Sequence, residues 1–537
     1  MKTLETADRR TRQRVLEAGV ALLSERGLSG DLLPAAATRA GCSLQRAQIF
    51  FQRDEDLVLA LYARLAAELE SRVAELPEAD LAERFRSVML AKLSLVAPYR
   101  QALAALLATL LDPRHELGAL SPQTEIVRSQ VMGVFSAVVL GARDRRKIEP
   151  EGLTRSLYGL HLALMLLWTQ DQSADSQATR AAIDLVSDLL SVSGRLSWLP
   201  NFKNSLAKLD QIAGALVEPA PDPAVSELAE KILRQLFRHR RLQPGAGACA
   251  EIPCPQCLAL HLPKVRRFVR AGEPIHFLLP AFPAKSANPK KTLGRLPDKA
   301  EELALGFLER VCDEIGDIYP PGARITICSD GRVFSDLVGV SDEDVTDYGR
   351  EIDVLRERLA LNSLTLFSME DLFEIDDQEK MRDQLRTHYA EPLASIEQRV
   401  HEFAHHRALF NGIQRFLFED RIAIEANATG KSRTSVRNEC KSQTYLVIQR
   451  SDAWGRLLRD CFPAALRLSI HPQGAHSEKI GILLGEAEDT WLTPWHGVAV
   501  RREGKFRLMR RHEAEALGAR VVECGGRPSY YQIGEDE

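Results

Sequence analysis

Lysines and small hydroxyl and amide side chains collect in one stretch of the sequence, PIHFLLPAFPAKSANPKKTLGRLPD (274–298). An apolar run ends there in a proline-bracketed turn that carries Lys285, Ser286, Asn288, Lys290 and Lys291. Cations and short donors at the end of a buried strand suit an anionic ligand such as a sugar phosphate. Lys290 and Lys291 are adjacent, so one of them is expected to face the ligand and the other to face water. Arg332 is a further candidate cation. Proton transfer near neutrality needs acids and bases, and Asp298, Asp330, Asp336, His471 and His496 are the candidates. Each has a plainer reading. Ser329-Asp330-Gly331 is also the sequence of a tight turn after a strand, Asp336 also suits a helix cap or an ion pair, and a histidine on a strand is more often structural than catalytic.

These residues need elements to position them. Apolar runs at PIHFLLPAF, ARITICSDG (323–331) and NSLTLFSMEDL (362–372) alternate with amphipathic stretches such as KAEELALGFLERVCDEIGDIY (299–319). Strands alternating with helices predict βαβ units and a mostly parallel sheet, with ligands beyond the carboxyl ends of the strands. Residues 375–460 return to helical patterning. The tail, with RLSIHP (467–472), KIGILLG (479–485) and WHGVAVRREGKFRLMRR (495–511), reads as short antiparallel strands with a turn at Glu503-Gly504.

Upstream, residues 8–205 are patterned as helices, and VEPAPDPAV (217–225) reads as a linker. The predicted organisation is a helix-turn-helix over 1–60, an all-helical domain over 61–210, a linker over 211–225 and an α/β domain over 226–537. At 537 residues, more than one core is expected. A net charge of −4 gives no global attraction to nucleic acid. The start, MKTLETADRRTRQR, lacks the apolar segment of a signal peptide, and apolar stretches fall short of membrane-spanning length. Nine cysteines without a secretion signal then imply reduced thiols in a cytoplasm. Cys254-Pro255-Gln256-Cys257 is half of a metal site; Cys249 and His261 are the nearest residues to complete it, but the spacing matches no known signature. Buried thiols and no metal are the expectation. No dinucleotide or Walker-type phosphate loop stands at a strand-to-helix junction.

TRQRVLEAGVALLSERG (11–27), a short helix at Leu33–Ala40, a Gly41-Cys42-Ser43 turn and a short helix at Leu44–Phe51 form a helix-turn-helix pattern. It resembles the TetR family of transcriptional regulators. That resemblance implies a homodimer built on residues about 120–205, with the C-terminal domain hung from it by the linker. Gln45 and Arg46, with Arg39 and Arg53, are the residues for DNA. Gln48 stands where the family usually has a phosphate-contacting Tyr, and Asp54 where it usually has a Lys. Both changes weaken DNA binding.

LPAFPAKSANPKKTLGRLPDKAEELAL, YPPGARITICSDGRVFSDLVGV (319–340), LRLSIHPQ and TPWHGV resemble, in this order, motifs of the pyoverdine/dityrosine biosynthesis family, whose bacterial members are isonitrile synthases. The resemblance covers about residues 226–515. It implies an α/β Rossmann-like fold and condensation of the α-amine of L-tyrosine or L-tryptophan with the ketone of ribulose 5-phosphate. Loss of phosphate, decarboxylation and carbon–carbon cleavage then leave the isonitrile. Ribulose 5-phosphate is a co-substrate, no redox cofactor is implied, and an iron- and 2-oxoglutarate-dependent oxygenase is the expected downstream partner. In that chemistry Lys479 or Arg467 would meet the amino-acid carboxylate, and Trp491 and Trp495 would line the aromatic pocket. The competing reading is a TetR-like regulator whose C-terminal half senses an amino acid or a sugar phosphate.

Overall fold

The computed structural model describes residues 2–26, 30–106, 109–110, 112, 114–144, 150–196, 208, 222–373, 377–425, 431–485 and 492–534. Most of the expected linker and Trp491 lie outside these residues. No helix among those described is long and apolar enough to cross a membrane.

The C-terminal half is built on five parallel strands: β1 (Ile275–Pro280), β2 (Ala323–Cys328), β3 (Leu364–Phe367), β4 (Leu466–Ser469) and β5 (Lys479–Gly481). Their order is β3-β2-β1-β4-β5. Five of the six residues of β1 are buried, as expected for a central strand covered on both faces. The chain runs outward from β1 to β3, then returns through helices within 378–461 to the other side of β1. The order therefore reverses between β1 and β4, and a crevice opens there beyond the strand ends. Beyond this sheet, β6 (Val498–Arg502), β7 (Lys505–Met509), β8 (Arg520–Cys524) and β9 (Arg527–Ile533) form a smaller sheet in the order β7-β6-β9-β8.

The tail differs from its expected pattern. β4 and β5 belong to the parallel sheet because the long Arg433–Cys461 helix delivers the chain back beside β1. Only β6–β9 form the smaller sheet, and β6 pairs with β9 in parallel. The β6–β7 turn falls at Glu503-Gly504, both with positive φ.

The N-terminal half is helical, with one apolar core running from Val15 to Ile183. Its principal helices are Lys2–Arg26, Leu32–Arg39, Leu44–Gln48, Asp54–Ser71, Leu81–Val96, Glu125–Leu140, Pro150–Gln170 and Gln177–Leu196. Ser43 caps the Leu44–Gln48 helix by accepting the Arg46 N–H. Asp54 has a local structural use: its carboxylate accepts the N–H groups of Leu32 and Leu33, which begin the helix before the turn. The two halves are also in direct contact. Lys264 and Glu70 form a buried ion pair at 2.6 Å, Arg64 donates to Asp460 at 2.7 Å, and Arg459 donates to Glu68 at 2.6 Å across the contact between the halves.

Candidate active site

A cavity of about 310 Å³ lies at the switch point between β1 and β4. Its walls come from the loops after β1, β2 and β4, from the helices at 404–425 and 433–461, and from the end of the Asp54–Ser71 helix.

The loop after β1 is held by its own charges. Lys285 is fully buried, ion-paired with Asp298 at 2.9 Å and Glu301 at 2.8 Å, and donates to the Pro494 carbonyl at 3.1 Å. An ammonium has three protons, and three acceptors surround this one. Asp298 accepts the Ala300 N–H and caps the Lys299–Gly316 helix, while Glu301 reaches back to the Asp298 N–H. Lys285 and Asp298 thus form a clamp, and Lys285 and Ser286 also line the cavity. Burial, opposed by Lys285, raises the Glu301 carboxyl to about 7. Ser286 donates to Asp420, and Asn288 donates to the same carboxylate. Lys291 pairs with Asp420 at 2.6 Å and lies over the Phe416 ring, whereas Lys290 is exposed. Phe282, in the same loop, sits at φ 57°, a strained conformation for a bulky side chain.

The loop after β2 is different. Asp330 is 9% exposed and lines the cavity, and its Oδ1 has no hydrogen-bond partner among the described residues. It stands at the N-cap of the Gly331–Val338 helix without donating or accepting a side-chain cap bond. Burial pushes its carboxyl up to about 7. Gly331 does not take the positive φ of a tight turn. It is required because a Cβ there would collide with the Pro283 carbonyl, so the loop can press against the loop after β1. Arg332 and Asp336 point elsewhere. Arg332 pairs with Glu370 and Asp342 and donates to the Asp342 carbonyl. Asp336 is half-exposed and pairs with Arg450 at 2.6 Å. Neither lines the cavity. Both brace helices.

His471, Lys479 and Arg467 come from β4, β5 and the loop between them, and all three line the cavity. Burial, with Arg241 and Lys479 nearby, lowers His471 to about 4, so its imidazole is neutral at pH 7. Lys479 makes no ion pair with a described residue, and burial and Arg467 lower its pKa. Arg467 is already paired with Glu478 at 2.9 Å. From the turn before β6, His496 is also lowered to about 4 by burial and Lys291. Its Nδ1 meets Thr493 Oγ1 at 3.0 Å and its ring stacks on Phe416. Trp495 is buried against Phe282 and lines the cavity.

The sequence reading missed several wall residues. Asp420 gathers Ser286, Asn288 and Lys291. His405 lines the cavity and is lowered to about 4 by burial and His406; His406 meets Glu75 at 3.4 Å. Glu68, Ser71, Arg72 and Glu75 come from the helical half. The doubled histidine in HEFAHH (401–406) was the only visible signal. The cysteine pair also has an unforeseen partner. His261 turns its ring onto Phe237, and His476 stands beside Cys249, Cys254 and Cys257 instead. Four ligand-type atoms therefore converge where no metal set was expected.

In the helix-turn-helix segment, Arg39 pairs with Glu25 at 2.7 Å and Arg53 pairs with Glu116. Gln45 is exposed and Arg46 half-buried on the capped helix.

A Rossmann-ordered sheet whose crevice holds a buried carboxyl and a lysine, neither ion-paired with a described residue, beside neutral imidazoles defines an α/β enzyme domain. A sequence profile of the pyoverdine/dityrosine biosynthesis protein family matches residues 265–522. The chain is similar to the L-tryptophan isonitrile synthase AmbI2 of Fischerella ambigua, 48% identical over 304 residues, which are 57% of this chain and 91% of that protein. It is also similar to the L-tyrosine isonitrile synthase of Pseudomonas aeruginosa, 43% identical over 58% of this chain and 95% of that one. The crystal structure of the PvcA protein from Pseudomonas aeruginosa is similar with a TM-score of 0.54 and 42% identity, covering 57% of this chain and 99% of that chain. The chain belongs to the pyoverdine/dityrosine biosynthesis protein family and is an enzyme.

Proposed function

We propose that the chain is an isonitrile synthase that converts the α-amino group of L-tyrosine or L-tryptophan to an isonitrile, with ribulose 5-phosphate as the carbon donor. The observation that carries this reading is Asp330, a buried carboxyl poised near neutrality in a cavity it shares with His471, His496 and Lys479. The relatives named as tryptophan and tyrosine isonitrile synthases support it.

The amine must attack the sugar ketone unprotonated, and water must leave before the imine forms. The amine enters in its unprotonated form, neutral His471 or His496 accepts a hydrogen bond from it, and protonated Asp330 delivers a proton to the departing hydroxyl. Lys479, with no carboxylate ion pair among the described residues, receives the phosphate or the amino-acid carboxylate. Trp495, with Phe334 and Phe416 along the same cavity, faces the aromatic side chain. The test is incubation with each amino acid and ribulose 5-phosphate labelled with ¹³C at the ketone carbon. Labelled isonitrile detected by mass is expected; unlabelled product would overturn the donor, and no product with either amino acid would overturn the reaction.

The same reading makes the enzyme cytoplasmic, with a downstream iron- and 2-oxoglutarate-dependent oxygenase acting on its product. The TetR-like pattern of its N-terminal helices makes it a homodimer. Leu185 and Leu189, 60% and 63% exposed, and Val192 form an apolar stripe on the Gln177–Leu196 helix, as a dimer face requires. Light scattering at the monomer mass would overturn the dimer. DNA binding is the second reading, favoured by the Ser43-capped helix and opposed by the ion pairs on Arg39 and Arg53. A gel-shift at low salt decides it.

A further inference from the structure

We infer that Cys249, Cys254, Cys257 and His476 form a structural zinc site. Their ligand atoms all lie within 4.8 Å of one another. Zinc–sulfur bonds of about 2.3 Å and zinc–nitrogen bonds of about 2.0 Å at tetrahedral angles require S···S separations near 3.8 Å and S···N separations near 3.5 Å. Cys254 Sγ lies 3.7 Å from Cys257 Sγ and 3.4 Å from His476 Nε2, and Cys249 Sγ lies 3.6 Å from the same nitrogen. Three of the six separations thus match a metal tetrahedron, and the other three are within 4.8 Å.

The surroundings suit a metal thiolate centre. Cys254 is the N-cap of the Pro255–Ala259 helix, and its carbonyl accepts the Cys257 N–H, which fixes the turn between the two thiols. Zinc with three thiolates and one neutral imidazole carries a single net negative charge. Arg240 supplies the balancing cation: it donates to the Cys249 carbonyl at 2.6 Å and approaches Cys257. A disulfide accounts for less. Sulfur atoms at 3.7 Å are far beyond a bond of about 2.05 Å, and pairing two of three thiols would leave the third and His476 without a purpose.

The site ties together parts that are distant in sequence. Cys254 and His476 are 222 residues apart. His476 lies in the β4–β5 loop, between His471 and Lys479 of the cavity. On the other side, the cysteine turn packs on the Glu125–Leu140 helix of the N-terminal half, where a Cβ on Gly133 would stand 3.2 Å from the Ala259 carbonyl. One ion here fixes the loop that presents His471 and Lys479 and braces it against the helical half.

The test is elemental analysis of the full-length protein, purified without an affinity tag or added metal. About one zinc per chain is expected. Cobalt exchanged into the protein should show the visible bands of tetrahedral cobalt with thiolate charge transfer. Cys254→Ser and His476→Ala should lose the metal and melt several degrees lower, while His476→Cys, which keeps a ligand, should retain it. Wild-type protein without zinc, both as purified and after reconstitution under reducing conditions, would overturn the site. So would undiminished zinc in both Cys254→Ser and His476→Ala.

Discussion

The loops after β1 and β4 face one another across the cavity and carry similar side chains, but they use them differently. After β1, Lys285 is enclosed by Asp298, Glu301 and the Pro494 carbonyl, and Lys291 by Asp420 and Glu419. After β4, Lys479 has no carboxylate partner among the described residues, and His471 is held neutral by burial and neighbouring cations. Charge that is already paired shapes a wall. Charge that was desolvated and left without a counter-ion is available to a ligand, and it carries the cost that marks functional groups.

Substitutions on the two walls should therefore fail differently. The largest effect is expected at Asp330: Asp330→Asn should lower turnover by roughly 10²–10⁴-fold. It should also stabilise the fold at alkaline pH. The native carboxyl, near 7, holds its proton more tightly than the unfolded one, so its stability contribution is full below about pH 4 and lost as pH rises through about 7, by up to roughly 4 kcal/mol. Melting curves of both proteins at pH 5.5 and 8.5 check this: about half of the gap should be present at the lower pH and all of it at the higher. Next is Lys285→Met, which leaves Asp298 and Glu301 buried without their cation and should cost about 3–5 kcal/mol of stability. Denaturant titration would show it; a variant as stable as wild type but inactive would return Lys285 to the ligand and erase the contrast. Lys479→Met should fold normally and raise KM for the anionic substrate by tenfold or more, consistent with loss of a charge-assisted contact worth about 1.5–3 kcal/mol. Smallest is Asp336→Asn, whose half-exposed pair with Arg450 should change stability by less than about 1 kcal/mol and leave turnover within a few-fold.

The sheet was largely legible because β1, β2 and β3 are short apolar runs bounded by turns, a local property. β4 and β5 were assigned to the wrong sheet, because their place depends on where the helices within 378–461 return the chain. At the site, residue types were legible but their states were not. Lys285 and Lys479 look alike in sequence; only the fold shows that Asp298, Glu301 and the Pro494 carbonyl surround the first. Arg332 and Asp336 share a motif with Asp330 yet lie on helical faces turned from the cavity. Asp420 and His476 were missed because each meets its partners across long stretches of chain, and His405 because only the fold brings its helix to the cavity.

The Asp54–Ser71 helix begins at a carboxylate that grips the Leu32–Arg39 helix and ends at the cavity, where Ser71, Arg72 and Glu75 form part of the wall. Its 18 residues span about 27 Å as a stiff strut. Any ligand that repositions Arg72 or Glu75 does work on this strut, and whatever grips the far end does work back on the cavity. Linkage makes the exchange symmetric: a partner whose affinity for the N-terminal helices changes tenfold when substrate binds must change substrate affinity tenfold in return, a coupling of about 1.4 kcal/mol.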